Sequence, residues 1–180
     1  NVAIAVSFFR YMMYNDSSDR CMIIMHETRF IRYIAWLPAL FVAAAIFYFS
    51  AQPADVSTEM SDGVTTLLLQ MAEAMGLLEL SPEIVGKLCE QLSMPVRKCA
   101  HITEYMILHG TILLGLYHWS SNLKVNKNLW LRLAFVMTAL YAATDEIHQL
   151  FVPGRAGRVT DVLIDCIGVA VITYLLWKER

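Results

Sequence analysis

Four long apolar segments alternate with polar stretches along the chain. They cover about residues 33–50, 99–119, 129–151 and 160–177. An α-helix rises about 1.5 Å per residue, so each segment is about long enough to cross a hydrocarbon core of roughly 30 Å. The pattern therefore predicts an all-α protein, an integral membrane bundle of four transmembrane helices.

A long polar-rich connection, residues 55–94, separates the first two predicted spans. Two pieces of it repeat apolar residues at helical spacing, one from Val64 to Met75 and one from Ile84 to Leu92. Both pieces are shorter than a span. We expect amphipathic helices that lie at the membrane surface or cover the bundle, and a small packed cap fits the same pattern nearly as well.

Composition supports a membrane protein. The chain of 180 residues is 57% hydrophobic and 17% charged, with a mean hydropathy of +0.50, which exceeds what a soluble domain carries. Residues 32–180 form one predicted membrane domain, and residues 1–31 are an N-terminal extension or tail with no assigned function. The net charge of -2 gives no indication of a nucleic-acid partner, and the four cysteines show no metal-binding spacing.

The distribution of basic residues favours a cytoplasmic location for both termini. With the N-terminus inside, nine Lys and Arg fall on the inner side and five on the outer side. In this topology the end of span one, the start of span two, the end of span three and the start of span four share the extracytoplasmic face.

Nearly every unusual polar residue of the predicted spans lies at those four ends. The set comprises Gln52, Arg97, Lys98, His101, Glu104, Tyr105, Asp145, Glu146, His148, Gln149, Arg155, Arg158, Asp161 and Asp165. Helical spacing arranges most of them in three stripes, one on each of spans two, three and four. Ionisable residues near membrane depth cost a few kcal/mol or more, so their convergence predicts a functional polar pocket at one mouth of the bundle.

Two chemical interpretations involve catalysis. In the first, Glu104, Asp145 or His148 transfers protons, because carboxylates beside a His can be tuned to act near neutral pH. In the second, His101 with Glu104 and Asp145 with His148 each place two metal ligands on one helix face. The residue types are mixed and sit at helix ends, so we expect neither a metal nor another cofactor. His109, off the main stripe, is interpreted as a packing or interfacial residue.

Two further interpretations need no catalysis. Most of the set would bind a ligand, because arginine pairs in a fork geometry with phosphate or carboxylate. The binding set is Gln52, Arg97, Lys98, His101, Tyr105, Glu146, Gln149, Arg155, Arg158, Asp161 and Asp165. Alternatively, a buried ion-pair network fixes the helix ends. Its members would be Asp145, Glu146, Arg155 and Asp161.

Several short strings stand in a distinctive order along the predicted membrane domain. They are Ser50-Ala51-Gln52, RKCAHITEY from Arg97 to Tyr105, DEIHQ from Asp145 to Gln149, Pro153-Gly154-Arg155, and Asp161 through Asp165 to Gly168. This order resembles the VanZ-like family of small multispanning membrane proteins, over roughly Tyr33 to Trp177. One departure from the family pattern is Asp165, where Asn is expected, and it adds a carboxylate to the pocket.

The resemblance implies a multi-pass protein of the bacterial cell membrane, in a family whose founding member is linked to low-level resistance to teicoplanin-type glycopeptides. It implies no mechanism. We expect action at the extracytoplasmic face on or with a membrane lipid, a lipid-linked cell-wall precursor or a glycopeptide. The alternatives are a non-catalytic membrane scaffold and a metal- or acid/base-dependent membrane hydrolase.

Overall fold

The computed structural model describes residues 27–120 and 126–178, and these form six α-helices. The helices are α1 (Glu27–Ile34), α2 (Leu37–Ser50), α3 (Ala54–Ala74), α4 (Pro82–Ser120), α5 (Lys127–Gln149) and α6 (Val159–Lys178). No strand occurs within these two described ranges, so the all-α prediction is confirmed. Residues 1–26 of the predicted N-terminal extension lie outside the described residues.

Helices α2, α4, α5 and α6 pack around one apolar core. Its buried members are Ala39, Ile46, Tyr105, Leu108, Ile112, Leu113, Leu131, Ala134, Ala142, Val169 and Leu176. Gly168 allows α6 to approach α4 closely, because a Cβ at that position would lie 2.6 Å from Cγ of Met106. The predicted stripe on span four therefore faces α4.

Two of the apolar segments are long and apolar enough to cross a membrane. Residues Ile31–Ser50 have a mean hydropathy of 1.8 and Val159–Lys178 one of 2.0, and only 22% of each window is buried. Core helices of soluble proteins are mostly buried, whereas these two expose large apolar side chains such as Phe41 and Leu163. Both are consistent with a membrane protein.

The connection after α2 differs from the sequence prediction in its second half. The piece from Ile84 to Leu92 was expected to be separate from the span beginning near Cys99, but α4 runs unbroken through both and contains Pro95. A proline inside a helix removes one backbone hydrogen bond. Packing of α3 along α4 supports the helix across this point, because Arg97 bonds to hydroxyls on α3.

Helix α3 turns its small polar residues inward and its large apolar residues outward. The buried residues are Ser57, Ser61, Thr65 and Leu69. The hydroxyls of Ser61 and Thr65 donate to the carbonyls of Ser57 and Ser61, at 2.9 and 2.8 Å. The exposed apolar residues are Val56, Met60, Val64, Leu67, Leu68 and Met71. Small residues at helix contacts are typical of helices packed in lipid.

Candidate functional site

The corner between α5 and α6, residues 150–158, carries two of the predicted arginines. Gly154 adopts a φ of +73°, a left-handed conformation that glycine adopts without strain. The carbonyl of Pro153 accepts a hydrogen bond from the backbone N–H of Ala54, at 3.2 Å. The corner is therefore fixed against the first residue of α3.

Glu146, in the last turn of α5, holds the second half of the corner. Its Oε2 atom accepts a hydrogen bond of 2.8 Å from the backbone N–H of Arg158. A Cβ on Gly157 would lie 2.1 Å from the Glu146 carbonyl oxygen, so the chain needs glycine there to lie this close to α5. These contacts keep the corner over the end of α5.

Arg155 joins the end of α2 to the end of α5. Its Nε and Nη2 atoms donate to the carbonyls of Gln52 and Phe49, at 3.1 and 3.3 Å, and its Nη1 donates to Oε1 of Gln149, at 3.4 Å. Unpaired carbonyls at a helix C-terminus carry partial negative charge, so they suit a guanidinium. The side chain thus closes one wall of the site.

Burial and nearby charges act on the pKa of Arg155 in opposite directions. Burial lowers the pKa of its guanidinium, and Arg97 lowers that pKa further, while Asp145 acts in the opposite direction. Arginine starts with such a high pKa that it keeps its charge in proteins. The site therefore holds a permanent positive charge in a half-buried position.

Helix α4 contributes two more cations. Arg97 donates from Nη2 to the hydroxyl of Thr58, at 2.8 Å, and from Nε to that of Ser61, at 3.4 Å. Lys98 pairs with Asp161 of α6, with 2.7 Å between Nζ and Oδ1. The lysine charge is thus neutralised, whereas the hydrogen bonds of Arg97 go to uncharged oxygens.

These elements enclose a cavity of about 310 Å³, which we call the polar cavity. Nine of the fourteen predicted site residues line it: Arg97, Lys98, His101, Glu146, Gln149, Arg155, Arg158, Asp161 and Asp165. The structure thus brings together residues from α4, α5, α6 and the corner before α6, as expected from the alternation of spans.

Asp145 and Tyr105 lie beside this cavity without lining it. Asp145 is 4% exposed, and its Oδ2 accepts a hydrogen bond of 3.1 Å from Nε2 of Gln149. Its Oδ1 atom and the fully buried Tyr105 hydroxyl have no hydrogen-bond partner among the described residues. Tyr105 and Asp145 are themselves neighbours that can hydrogen-bond to each other, so these two atoms do not require a further group.

Gln52 and His148 take other positions. The Gln52 side chain donates back to the carbonyl of Tyr48, at 3.0 Å, and only its backbone oxygen meets Arg155. The His148 ring stacks on Phe47 of α2, with 4.3 Å between ring centroids. The predicted stripe of Asp145, His148 and Gln149 therefore splits, with His148 turned towards α2.

Glu104 lines a second space, which we call the apolar groove. It has a volume of about 210 Å³ and is lined by Phe49, Ser57, Met60, Ser61, Val64, Val96, Arg97, Ala100, His101, Glu104 and Arg155. Oε2 of Glu104 lies 3.6 Å from Nδ1 of His101. Arg97, His101 and Arg155 line both spaces, so the groove opens at the polar cavity.

A second polar centre, deeper in the bundle, was not predicted as such. His109 is fully buried, and its Nδ1 and Nε2 atoms lie 3.4 and 3.2 Å from the hydroxyls of Thr138 and Thr173. Its packing role is confirmed. The sequence prediction places His109 off the main stripe, yet it follows His101 and Tyr105 at intervals of four residues on α4, and this spacing was the available signal.

Metal ligation gains no support from this arrangement. Within residues 27–120 and 126–178, no group of three or more His, Cys, Asp or Glu side chains is placed to hold a metal ion. Within the polar cavity, Glu146 instead meets the backbone N–H of Arg158 and the amide of Gln149, and Asp161 meets Lys98.

Comparison with known proteins gives one match. Residues 35–178 match the model of the VanZ/LLP1 family. This stretch contains α2 to α6 and all fourteen predicted site residues. No curated protein and no solved structure matches the chain significantly. Because the family match covers most of the chain, the protein belongs to the VanZ/LLP1 family.

Proposed function

We propose that the polar cavity binds the phosphate or carboxylate of a cell-envelope lipid, a lipid-linked precursor or a glycopeptide. The supporting observation is the bonding of two arginines that line it. Arg97 donates to two hydroxyls and Arg155 to three uncharged oxygens, and among the described residues neither forms an ion pair. Two guanidinium groups of this kind beside one space favour an anionic ligand.

The ligand also carries hydrogen-bond donors. Glu146, Asp161 and Asp165 line the same cavity, and carboxylates accept hydrogen bonds from hydroxyl or ammonium groups. An anion without such donors would meet repulsion on this wall. Lipid headgroups and cell-wall precursors combine an anionic group with hydroxyls or amines, and a cavity of about 310 Å³ is in the size range of small-ligand sites.

The membrane arrangement is part of this proposal. The second half of α4 and α5 would be two further spans beside those of α2 and α6, because both expose large apolar residues such as Ile107 and Leu140. Helix α3 and the first half of α4 would be the amphipathic part of the outer connection. The excess of basic residues on the other side supports a position of the polar cavity at the extracytoplasmic face of a bacterial cell membrane.

The test compares cells that express the wild type, Arg155→Ala or the control Lys87→Ala. Lys87 is an exposed lysine paired with Glu83, far along α4 from the cavity. We expect protection against teicoplanin from the wild type and the control, and none from Arg155→Ala at equal membrane abundance. Loss of Arg155→Ala from the membrane would instead support a scaffold with a structural polar corner. A wild type that gives no protection would remove the glycopeptide as ligand.

A second candidate function is acid/base chemistry on the bound group. It is favoured by the contact of 3.6 Å between His101 and Glu104, where the groove meets the cavity. Of the other two members of the predicted proton-transfer set, Asp145 lies beside the cavity, whereas His148 stacks on Phe47 of α2. Glu104→Gln keeps the size of the side chain, so an enzyme should retain ligand binding and lose turnover. Equal loss of both would count against catalysis.

A further inference from the structure

We propose that the ligand of the polar cavity is an anionic lipid whose acyl chain lies in the apolar groove. The headgroup position rests on the proposed function, and the chain position rests on the shape and lining of the groove. The ligand class is therefore narrower than the proposed function requires, because water-soluble anions and glycopeptides are excluded.

The groove and the cavity have the layout of an amphiphile. Phe49, Met60, Val64 and Val96 form the apolar wall of the groove. At its other end it meets the charged residues that it shares with the polar cavity. An anionic headgroup held by Arg97 and Arg155 would leave an attached chain next to the apolar wall.

Arg97 fixes the spacing between the apolar groove and the polar cavity. Its side chain is anchored to α3 through Thr58 and Ser61, on the helix that supplies Met60 and Val64. The guanidinium therefore stands between the apolar wall and the cavity, next to both. A headgroup that moved away from Arg97 would also move the chain out of the groove.

The exposed face of α3 continues the apolar wall of the groove beyond Val64. Apolar residues recur along this face, and the series is Met60, Val64, Leu67, Leu68 and Met71. From Met60 to Met71 the helix rises about 17 Å, at about 1.5 Å per residue.

The experiment uses the full chain in phosphatidylcholine nanodiscs with two probes that carry a photoreactive diazirine in one acyl chain. One probe is phosphatidylglycerol and the other is uncharged diacylglycerol. After illumination, labelled residues are mapped by mass spectrometry. We expect phosphatidylglycerol to label Met60 and Val64 at least fivefold more than Leu140, which is exposed on α5, and diacylglycerol to label all three similarly.

Two variants and one control locate the interaction. Arg155→Gln should reduce groove labelling by phosphatidylglycerol to the level of diacylglycerol, because the headgroup loses its anchor. Val64→Trp should reduce it by filling the groove. Leu163→Trp, at an exposed position on α6, should leave it unchanged. Equal groove labelling by both probes would overturn the proposal, because the groove would then be ordinary lipid-facing surface. Cross-linking of two protein copies through this face would also overturn it.

A separate measurement tests anion binding in the polar cavity with a ligand that has no acyl chain. Glycerol 3-phosphate, the phosphate-bearing part of a lipid, is titrated calorimetrically into the wild type and Arg155→Gln. Suppose that the wild type binds glycerol 3-phosphate at least tenfold more tightly than the variant but the groove is not selectively labelled. This result would overturn only the proposed position of the acyl chain. If neither selective labelling nor binding is found, the anion site itself is wrong.

Discussion

The bundle contains two polar centres on the same face of α4, and they are built differently. The polar cavity lies at His101, and the His109 cluster (His109, Thr138 and Thr173) lies two turns deeper, about 12 Å along the helix. In the His109 cluster, both ring nitrogens face a hydroxyl, and each hydroxyl also donates to a backbone carbonyl in its own helix. Every polar side-chain atom of the His109 cluster therefore has a polar neighbour within 3.4 Å.

The polar cavity differs in the hydrogen-bond partners of its buried polar atoms. The buried Nδ1 atom of His101 has no hydrogen-bond partner among the described residues, and the open volume of the polar cavity lies beside this side chain. A buried polar group with partners stabilises and orients a bundle, while one without partners is costly unless another molecule completes it. The comparison therefore separates a filled polar centre from an open one along the same helix.

The largest expected effect is on binding at the cavity. Arg155→Gln should weaken binding of a phosphate-bearing ligand by at least tenfold, because truncating a charged partner of a bound anion costs about 2–5 kcal/mol. Stability should also fall, by about 1–3 kcal/mol, because hydrogen bonds from a charged group to the ends of α2 and α5 are lost. Calorimetric titration and thermal unfolding of the same sample measure both. A large fall in stability with unchanged affinity would mean that Arg155 has a structural role and does not bind the ligand.

The next effect is on stability at the deeper centre. His109→Ala removes a fully buried ring and leaves a void, which should destabilise the protein by about 2–4 kcal/mol. Affinity for the ligand should stay within about twofold of the wild type. The thermal unfolding midpoint checks the first expectation and titration the second. His109→Gln, which can still hydrogen-bond, should recover part of the stability. A His109→Ala variant that unfolds like the wild type but no longer binds the ligand would contradict a purely structural role of the His109 cluster.

A smaller effect is expected in the corner that carries Arg155 and Arg158. Gly157→Ala forces a shift against the Glu146 carbonyl, and such overpacking costs about 1–3 kcal/mol. Ligand affinity should fall as well, because both arginines move with the corner. The matched control is Gly63→Ala on α3, where nothing lies within 4 Å of an added Cβ. The control should keep affinity and gain up to about 1 kcal/mol of stability from helix propensity.

The smallest effect concerns the pair at the rim of the cavity. The side chains of Lys98 and Asp161 are 39% and 31% exposed, and partly exposed pairs contribute about 1 kcal/mol or less. Lys98→Met should thus change the unfolding free energy only slightly, and Lys87→Met, in a pair with 69% and 79% exposed side chains, should change it less still. Denaturant titration of both variants checks this order. A loss of several kcal/mol in Lys98→Met would favour a structural polar corner.

Spacing rules predicted much of the site from sequence. His101 and Glu104 on α4, and Asp161 and Asp165 on α6, lie one helical turn apart and face the same region, as expected. The rule failed for His148, because a stripe of polar residues does not determine which neighbour each side chain meets. Stacking on Phe47 draws His148 to α2, and only tertiary packing reveals this.

Backbone contacts of the site could not be predicted from the sequence either. Gln52 was predicted for its side chain, yet its carbonyl meets Arg155, and Gln149 links Arg155 to Asp145 so that the two charges do not touch. The length of α4 could not be predicted because Pro95 is normally a boundary signal. The packing of α3 that supports the helix across Pro95 is a long-range effect, and single-sequence patterns carry no information about it.

The continuity of α4 has a mechanical consequence. Its 39 residues extend for about 58 Å, nearly twice the thickness of a hydrocarbon core of roughly 30 Å. Pro95, the natural bending point, lies two residues before Arg97 and three before Lys98. Bending of the first half of α4 at Pro95 would therefore tilt both cations relative to α6. The first half of α4 is thus mechanically coupled to the polar cavity through Pro95.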